Sequence, residues 1–208
     1  MDVFVLALEL IGTVAFAASG AVTAVRKKMD IFGVCVLAVT TAVGGGIIRD
    51  LMLGITPPGT FLNPVYALTA IVVAAVVFLR PVRHYLTGNH AVYQRTMLAM
   101  DSLGLGIFSV VGVSLAYGAQ PQAGMFLAVF VGVITGVGGG VMRDVMAGDM
   151  PYIFVKHVYA CASLAGALLC ALLRPVLGEM YAMVAGAVLV VLIRVLSATF
   201  KWNLPRAD

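Results

Sequence analysis

Long apolar runs cover almost the whole chain, and short polar stretches that hold most of the charged residues separate them. Each run approaches the about 20 residues that a helix needs to cross the hydrocarbon core of a bilayer, and none alternates like the strands of an outer-membrane barrel. The pattern therefore predicts an all-α integral membrane protein with seven transmembrane helices. We place them at about residues 3–25, 31–54, 62–79, 97–117, 123–148, 153–173 and 180–200.

One motif occurs twice in these runs. Residues 41–57 read TAVGGGIIRDLMLGITP and residues 135–151 read TGVGGGVMRDVMAGDMP, with ten of the 17 positions identical. The first and fourth runs also correspond, since Glu9 and Asp101 occupy equivalent positions in them. The pattern predicts a single membrane domain made of a first repeat (about 3–80), a loop (about 81–96), a second repeat (about 97–174) and a seventh helix (about 178–200).

The number of helices in each repeat predicts the topology. Three is odd, so the second repeat enters the membrane from the opposite side and the two repeats are inverted. By the positive-inside rule, we expect the N-terminus outside and the C-terminus in the cytoplasm, with the chain in the cell (inner or plasma) membrane. We expect Lys156, His157 and Arg194 to reach the interface by snorkelling. The predicted cytoplasmic side carries Arg26, Lys27, Lys28, Arg80, Arg83, Arg95, Lys201 and Arg206, whereas Arg174 is nearly alone on the other side.

Composition agrees with a protein surrounded by membrane lipid. The chain is 62% hydrophobic and 11% charged, with a mean hydropathy of +1.08, whereas soluble proteins average about half apolar and a quarter charged. The net charge of +4 does not indicate a nucleic-acid partner, because the basic residues lie in short loops without a binding motif. We interpret Cys35, Cys161 and Cys170 as packing residues, since they are isolated in apolar runs. The sequence predicts no cofactor, no resident metal and no enzymatic activity.

The glycine triplets Gly44–Gly46 and Gly138–Gly140 are the first candidate functional feature. Each glycine costs a helix about 1 kcal/mol relative to alanine, and three in a row predict a kink or break whose backbone groups line a hydrated path. Close helix packing is the alternative, because Gly132, Gly136 and Gly140 follow the small-xxx-small spacing. Two triplets at equivalent positions favour pore kinks. A phosphate-binding loop is disfavoured, because the GxxxxGK[ST] pattern does not occur.

The charged pairs that follow the triplets are the second candidate feature. Each charge would cost at least about 2.5–3.5 kcal/mol at the centre of a bilayer. Two interpretations stay open and are compatible: the charges lock helices together, or they line a water-filled path. The arginine of each motif could pair across the repeats, or with the acidic residue in the first helix of a repeat. The candidate pore-lining or charge-lock residues are Arg49, Asp50, Arg143, Asp144, Glu9 and Asp101.

Two copies of GGGxxRD occur, each in the second predicted helix of a three-helix repeat, and a seventh helix follows the repeats. This arrangement resembles the prokaryotic branch of the trimeric intracellular cation (TRIC) channel family. That branch overlaps with proteins labelled putative glycine transporters, and the resemblance covers about residues 3–200. It implies a homotrimer in which each subunit has its own hydrophilic pore for K⁺ and Na⁺, with kinked second and fifth helices at its core. The Lys-Glu-Val motif of animal members does not occur here, so phosphoinositide binding is not implied. By motif position, the resemblance implies pore kinks at Gly44, Gly45, Gly46, Gly138, Gly139 and Gly140, beside Arg49, Asp50, Arg143 and Asp144.

The sequence therefore supports three functions to different degrees. The first is a passive cation channel, in which freed carbonyls and carboxylates partly replace the water shell of the ion. The alternative is a secondary transporter for a small zwitterion such as glycine, whose carboxylate and ammonium could be held by arginine and aspartate beside a helix break. The third is a membrane assembly protein without a conducting path.

Overall fold

A computed structural model gives the fold over residues 3–122, 124–155 and 158–202. Short turns join a series of helices, and no strand occurs within these ranges. The predicted interfacial residues Lys156 and His157, and Arg206 of the tail, lie outside the described residues. The helices are α1 (Val3–Arg26), α2 (Ile31–Met52), α3 (Gly59–Leu62), α4 (Val65–Phe78), α5 (Arg80–Gly88), α6 (His90–Ala119), α7 (Met125–Met146), α8 (Tyr152–Val155), α9 (Tyr159–Leu177) and α10 (Glu179–Thr199).

Six of these helices are long and apolar enough to cross a membrane, namely α1, α2, α6, α7, α9 and α10. The predicted third span is a bent pair, because α4 and α5 meet at 81°. The 14 residues of α4 extend for about 21 Å, which is shorter than the about 30 Å hydrocarbon core. Counted with α5 as one broken span, the chain has the seven spans that the hydropathy pattern predicts.

The prediction of a loop at residues 81–96 is wrong, because this segment is largely helical. Within α5, Val82 and Leu86 are half-buried at i, i+4 spacing while Arg80 and His84 are exposed, as expected of an amphipathic helix on a surface. Asn89 then begins α6, and its side-chain oxygen accepts a hydrogen bond from the N–H of Ala91 (2.8 Å), which is the usual role of asparagine before a helix.

Two Arg-Pro pairs, at equivalent positions of the repeats, differ in their local structure. Arg80-Pro81 begins α5 directly after the bend at Leu79, whereas Pro175 lies inside α9, which continues to Leu177. The dipeptide alone therefore does not cause the bend. Polar and basic residues follow Pro81 and favour a surface helix, whereas apolar residues follow Pro175 and extend the span until Gly178, with φ of +79°, ends it.

The two repeats are inverted about an axis that passes between α2 and α7. Gly45 of α2 lies against the carbonyl group of Thr135, and Gly139 of α7 lies against the carbonyl group of Thr41. Residue numbers rise along one helix as they fall along the other, so the helices cross antiparallel. Each contact has its equivalent in the other repeat, which is the relation that an inverted repeat requires.

The first helices of the repeats obey the same symmetry. The rings of Phe16 in α1 and Phe108 in α6 have centroids 5.3 Å apart. Gly12 lies against Phe108, and its equivalent Gly104 lies against Phe16. The helix α10 has no equivalent and packs against α6 and α9. The fold is therefore two inverted three-helix repeats with a seventh helix.

Candidate functional site

The centre of the molecule is the crossing of α2 and α7 at the two glycine triplets. A Cβ atom on Gly45 would overlap the carbonyl oxygen of Thr135, and one on Gly139 would overlap that of Thr41. The hydroxyls of Thr41 and Thr135 donate to the carbonyls of Leu37 (2.6 Å) and Val131 (2.7 Å) within their own helices. Only glycine at positions 45 and 139 permits backbones to approach this closely.

The sequence predicts a kink or a break at each triplet; the break does not occur in this structure, and the kink stays a prediction. Both α2 and α7 remain α-helical through their triplets, so the backbone carbonyls stay within the helices instead of facing a path. The close-packing interpretation accounts for the crossing, and it extends to the contact between α6 and α7. There, Gly132 and Gly136 lie against the backbone and hydroxyl oxygens of Ser109, so the small-xxx-small spacing does mark a helix contact.

The first charged cluster contains Glu9, Arg49 and Asp50. The Nε of Arg49 donates to Oδ1 of Asp50 (2.8 Å), and its Nη1 lies 3.6 Å from Oε1 of Glu9. The other carboxylate oxygens are also engaged: Oε2 of Glu9 accepts from the hydroxyl of Tyr66 (2.6 Å), and Oδ2 of Asp50 accepts from the N–H of Gly59 (2.8 Å). These buried charges are therefore paired and hydrogen-bonded, as their burial requires.

The second cluster repeats this arrangement around Arg143. Its Nε donates to Oδ1 of Asp144 (2.8 Å), and its Nη1 donates to Oδ1 of Asp101 (2.7 Å) and to the hydroxyl oxygen of Ser19 (2.9 Å). Oδ2 of Asp144 accepts from the N–H of Tyr152 (2.9 Å). Arg143 and Asp101 are 0% exposed, so this cluster is more deeply buried than the first. The Nη2 of Arg143 has no hydrogen-bond partner among the described residues.

The pairing question that the sequence left open is resolved within the repeats. Each arginine pairs with the aspartate next to it and with the acidic residue in the first helix of its own repeat. Within the described chain, Arg49 makes no ion pair with Asp144, and Arg143 makes none with Asp50. The clusters therefore fasten the first and second helices of each repeat to one another on either side of the crossing.

The seventh helix adds a fourth charge to the second cluster. Arg194 is 2% exposed, its Nη2 lies 3.6 Å from Oδ2 of Asp101, and its guanidinium lies 4.7 Å from the centroid of the Tyr159 ring. The expectation that Arg194 snorkels to the interface is wrong, because a buried carboxylate is within reach of its side chain. The second cluster thus has two arginines and two aspartates, whereas the first has one arginine and two carboxylates.

Each cluster borders a cavity at its own end of the bundle. The Glu9 cavity, about 370 Å³, contains Glu9, Arg49, Asp50 and Tyr66 in its wall beside the C-terminal end of α6. The Arg194 cavity, about 230 Å³, is lined by Gln94, Arg95, Met97, Leu98, Tyr152, Arg194 and Ala198. The first involves residues 115–119 of α6 and the second residues 94–98, so about 20 helical residues, or about 30 Å, separate them.

Sequence reasoning did not identify several groups that complete these clusters. Tyr66 and Tyr159 stand one position apart when the repeats are superimposed, so the motif comparison does not match them. Gly59 and Tyr152 contribute backbone N–H groups, which no sequence pattern reveals. Burial raises the pKa of Tyr152 to about 12, so its phenol is neutral where its ring lies 5.2 Å from the Arg143 guanidinium.

Comparison with known proteins places this arrangement in a family. The sequence profile of the family described as "Glycine transporter" matches the chain twice, at residues 6–81 and 98–175, which are the two repeats. A UPF0126 membrane protein of Deinococcus radiodurans is 41% identical over 202 residues, covering 95% of this chain and 89% of its own. The UPF0126 inner membrane protein YadS of Escherichia coli K12 is 41% identical over 162 residues, covering 76% of this chain and 73% of its own.

Solved structures of TRIC channels share the fold. The TRIC trimeric intracellular cation channel orthologue from Rhodobacter sphaeroides has a TM-score of 0.87 and 33% identity, covering 97% of this chain and 100% of its own. A structure that addresses conductance through TRIC cation channels has a TM-score of 0.83 and 37% identity, covering 97% of this chain and 96% of its own.

Proposed function

The chain belongs to the family described as glycine transporter, its fold matches those of solved TRIC channels, and from this premise we propose that it is a cation channel that conducts K⁺ and Na⁺. The observation that carries the proposal is the pair of buried charged clusters, one on each side of the α2–α7 crossing and each beside its own cavity. A protein whose glycines and charges served only to pack helices would need neither charged groups on both sides of the crossing nor cavities that reach those groups.

The proposed path runs through one subunit. An ion enters the Glu9 cavity, passes Arg49 and its carboxylates, crosses between α2 and α7, passes the Arg143 cluster and leaves through the Arg194 cavity. The contacts of Gly45 with Thr135 and of Thr41 with Gly139 place the symmetry centre near Val43 and Val137. Arg49 and Arg143 each lie six residues beyond it, so about 18 Å of helix separates the two arginines. This short central section is the barrier that conduction must overcome.

The clusters supply the electrostatics of the path. In the first cluster, two carboxylates face one arginine, so its formal charge is −1 and it attracts cations into the Glu9 cavity. In the second cluster, charges of both signs balance. Carboxylate oxygens of Glu9, Asp50, Asp101 and Asp144 can replace part of the hydration shell of the ion, while the arginines limit how many cations occupy the path together.

The glycine triplets are the proposed points of movement. The crossing is closed where Gly45 and Gly139 contact the opposite backbones, so an ion passes only after α2 and α7 separate. Helices bend most readily where glycines lack side-chain restraint. We therefore assign Gly44–Gly46 and Gly138–Gly140 as the positions where both helices bend in the conducting state.

The assembly follows the same premise. The Rhodobacter sphaeroides relative is a trimeric channel orthologue, and we propose a homotrimer with one pore in each subunit, embedded in lipid of the cell (inner or plasma) membrane. Basic residues lie at the C-terminal end of α1 and where α4 bends into α5. The positive-inside rule therefore orients the N-terminus outside and the C-terminus towards the cytoplasm.

Reconstitution of the purified full-length chain in planar bilayers with KCl or NaCl tests the proposal. We expect unitary cation currents of about a picoampere or more. Alternating-access transport is too slow for such currents, because its conformational steps take microseconds to milliseconds or longer.

The same preparation decides against the zwitterion transporter that the sequence also allowed. Liposomes that accumulate labelled glycine without unitary currents would overturn the channel proposal. Proteoliposomes with neither flux nor uptake, from protein whose fold is verified by its unfolding transition, would support an assembly role instead.

A further inference from the structure

A large basic cavity shares no described lining residue with the two cavities of the proposed path. Its volume is about 740 Å³, and it lies at the end of the bundle where α1 ends and where α4 bends into α5. Four cationic side chains line it, and no carboxylate is among its described lining residues. The wall consists of Arg26, Lys28, Arg80, Arg83 and His84, with the apolar residues Val25, Met29 and Phe78.

Aromatic rings contact two of these cations. The guanidinium of Arg26 lies 4.2 Å from the centroid of the Tyr93 ring, and that of Arg83 lies 5.3 Å from the centroid of the Phe78 ring. A ring orients a cation but does not neutralise its positive charge. Arg26 therefore retains its charge for an anionic ligand.

Two acidic side chains, one that pairs with Lys27 and one that follows Met29 in the chain, are engaged outside the cavity. Asp149 lies 2.5 Å from Nζ of Lys27, the lysine that precedes Lys28 and does not line the cavity. The carboxylate of Asp30 accepts a hydrogen bond from the N–H of Gly33 (2.7 Å) and begins α2. Neither carboxylate therefore belongs to the wall that presents the cations.

The backbone of Lys28 is in the left-handed region, with φ of +60°. It follows the end of α1, and its N–H donates to the carbonyl of Val25 (3.0 Å). Glycine is the usual residue at such a helix end, and a residue with a Cβ atom is about 1–2 kcal/mol less favourable there. A lysine at this position points to a use for its side chain, since strained residues cluster at ligand-binding sites.

The bend between α4 and α5 brings a helix N-terminus to the same cavity. Arg80 is the first residue of α5, and no side chain caps this end among the described residues. The first N–H groups of a helix carry partial positive charge and favour an anion. Two of the four cations, Arg80 and Arg83, project from this same first turn.

We propose that the basic cavity binds the phosphate of an anionic phospholipid, such as phosphatidylglycerol. The cations and the N-terminal end of α5 hold the phosphodiester, and the apolar wall of Val25, Met29 and Phe78 lies beside the first part of the acyl chains. Basic pockets between membrane helices hold lipid headgroups in this way. The apolar wall, and the position of the cavity at one end of the membrane-spanning bundle, favour a lipid over a free phosphate ion.

Binding of defined lipids to the full-length protein in neutral detergent tests the proposal. Apparent affinity is measured from the thermal shift on titration with dioleoyl phosphatidylglycerol, with dioleoyl phosphatidylcholine and inorganic phosphate as comparisons. Phosphatidylglycerol should bind at least about fivefold more tightly than phosphatidylcholine, since each basic residue near an anionic lipid contributes about a fivefold factor.

The variant Lys28→Gly separates ligand binding from folding. It removes the charge and relaxes the left-handed backbone, so its stability without lipid should be equal or higher, while its affinity for phosphatidylglycerol falls about fivefold. Arg80→Gln should cause a similar loss. Arg174→Gln is the matched control, because that arginine pairs with Glu179 at the other end of the bundle and does not line the basic cavity, so the affinity should be unchanged.

Three results would overturn the proposal: equal binding of phosphatidylcholine, equal binding of inorganic phosphate, or unchanged phosphatidylglycerol affinity in Lys28→Gly and Arg80→Gln. None of these readouts depends on ion conduction, so the lipid site and the channel can fail separately.

Discussion

At the scale of single residues, adjacent glycines in one triplet have different tasks. Gly45 contacts the backbone of α7, whereas the nearest group to a Cβ atom on Gly46 would be the side chain of Arg49 at 3.7 Å. Overpacking a tight contact typically costs about 1–3 kcal/mol. An alanine in open space on a helix instead gains up to about 1 kcal/mol relative to glycine.

We therefore expect Gly45→Ala to lower the free energy of unfolding by about 1–3 kcal/mol and Gly46→Ala to leave it unchanged or raise it. Thermal unfolding of the two variants in the same detergent checks this expectation. The two substitutions are chemically identical and adjacent, so equal effects would show that the crossing is looser than the contacts of Gly45 indicate.

The equivalent acidic residues Glu9 and Asp101 offer a second residue-scale test. Asp101 is fully buried between Arg143 and Arg194, whereas Glu9 borders a cavity and lies 3.6 Å from Arg49, which retains Asp50. Removal of one partner from a buried ion pair costs about 3–5 kcal/mol, because an uncompensated charge remains.

Asp101→Asn should therefore destabilise the protein by about 3–5 kcal/mol. Glu9→Gln should destabilise it less, because Arg49 retains Asp50 as a closer partner. Chemical or thermal unfolding in detergent provides the measurement. If Glu9→Gln were the more damaging change, the first cluster would not be the hydrated one and the proposed entrance would be wrong.

At the scale of helices, the internal repeat predicts most of the spans, whereas the hydropathy pattern predicts only part of the structure outside the repeats. The spans and their inversion follow from two copies of one motif, whereas the pairing of each arginine within its own repeat is visible only in the structure. The triplets could not be resolved from sequence, because a break and a close crossing both require an absent side chain. The position of Thr135 against Gly45, in a helix 90 residues away, distinguishes these cases, and so does the equivalent contact of Thr41 with Gly139.

The helices α5 and α10 lie outside what the repeat can predict, for different reasons. The basic residues of α5 lower its hydropathy and suggest a loop, although its half-buried Val82 and Leu86 make it amphipathic. The helix α10 has no second copy for comparison. The burial of Arg194 therefore depends on Asp101, a partner that sequence spacing alone does not connect to it.

The position of α10 predicts an effect of Arg194 on ion conductance. Arg194 and Arg95 line the same cavity, and each opposes a cation at the proposed exit. A unit charge about 10 Å from an ion in water contributes about 0.4 kcal/mol, or about a twofold change in occupancy. Arg194→Gln should therefore raise unitary K⁺ conductance about twofold in 0.1 M KCl.

The gain should shrink in 1 M KCl, because the screening length falls from about 10 Å to about 3 Å. Arg174→Gln is the control, since Arg174 pairs with Glu179 at 3.5 Å and lines neither cavity. A conductance in Arg194→Gln that equals the wild-type value at low salt would remove this arginine from the ion path.

At the scale of the whole molecule, the inverted repeat makes the two ends similar in backbone but different in charge. The end that holds the basic cavity exposes Arg26, Lys28 and Arg80. At the end that holds the Glu9 cavity, Arg49 is buried and paired with Glu9 and Asp50, and Arg174 is paired with Glu179. The backbone fold alone does not favour one orientation over the other. Charge therefore determines how the molecule inserts.

Two glycines at open positions near opposite ends of α6 allow a test of that orientation. Among the described residues that are not its chain neighbours, none has an atom within 4 Å of a Cβ atom at Gly124, and a Cβ atom at Gly88 would meet just the His84 ring at 3.9 Å. A cysteine therefore fits at either position. In a background with the native cysteines replaced, we expect Gly124→Cys to react with a membrane-impermeant maleimide in intact spheroplasts. Gly88→Cys should react only after permeabilisation, because it adjoins the basic end that the positive-inside rule retains in the cytoplasm. The reverse labelling would invert the assigned entrance and exit, and labelling of both sites in intact spheroplasts would indicate two orientations in one membrane, as weak charge bias in an inverted repeat would allow.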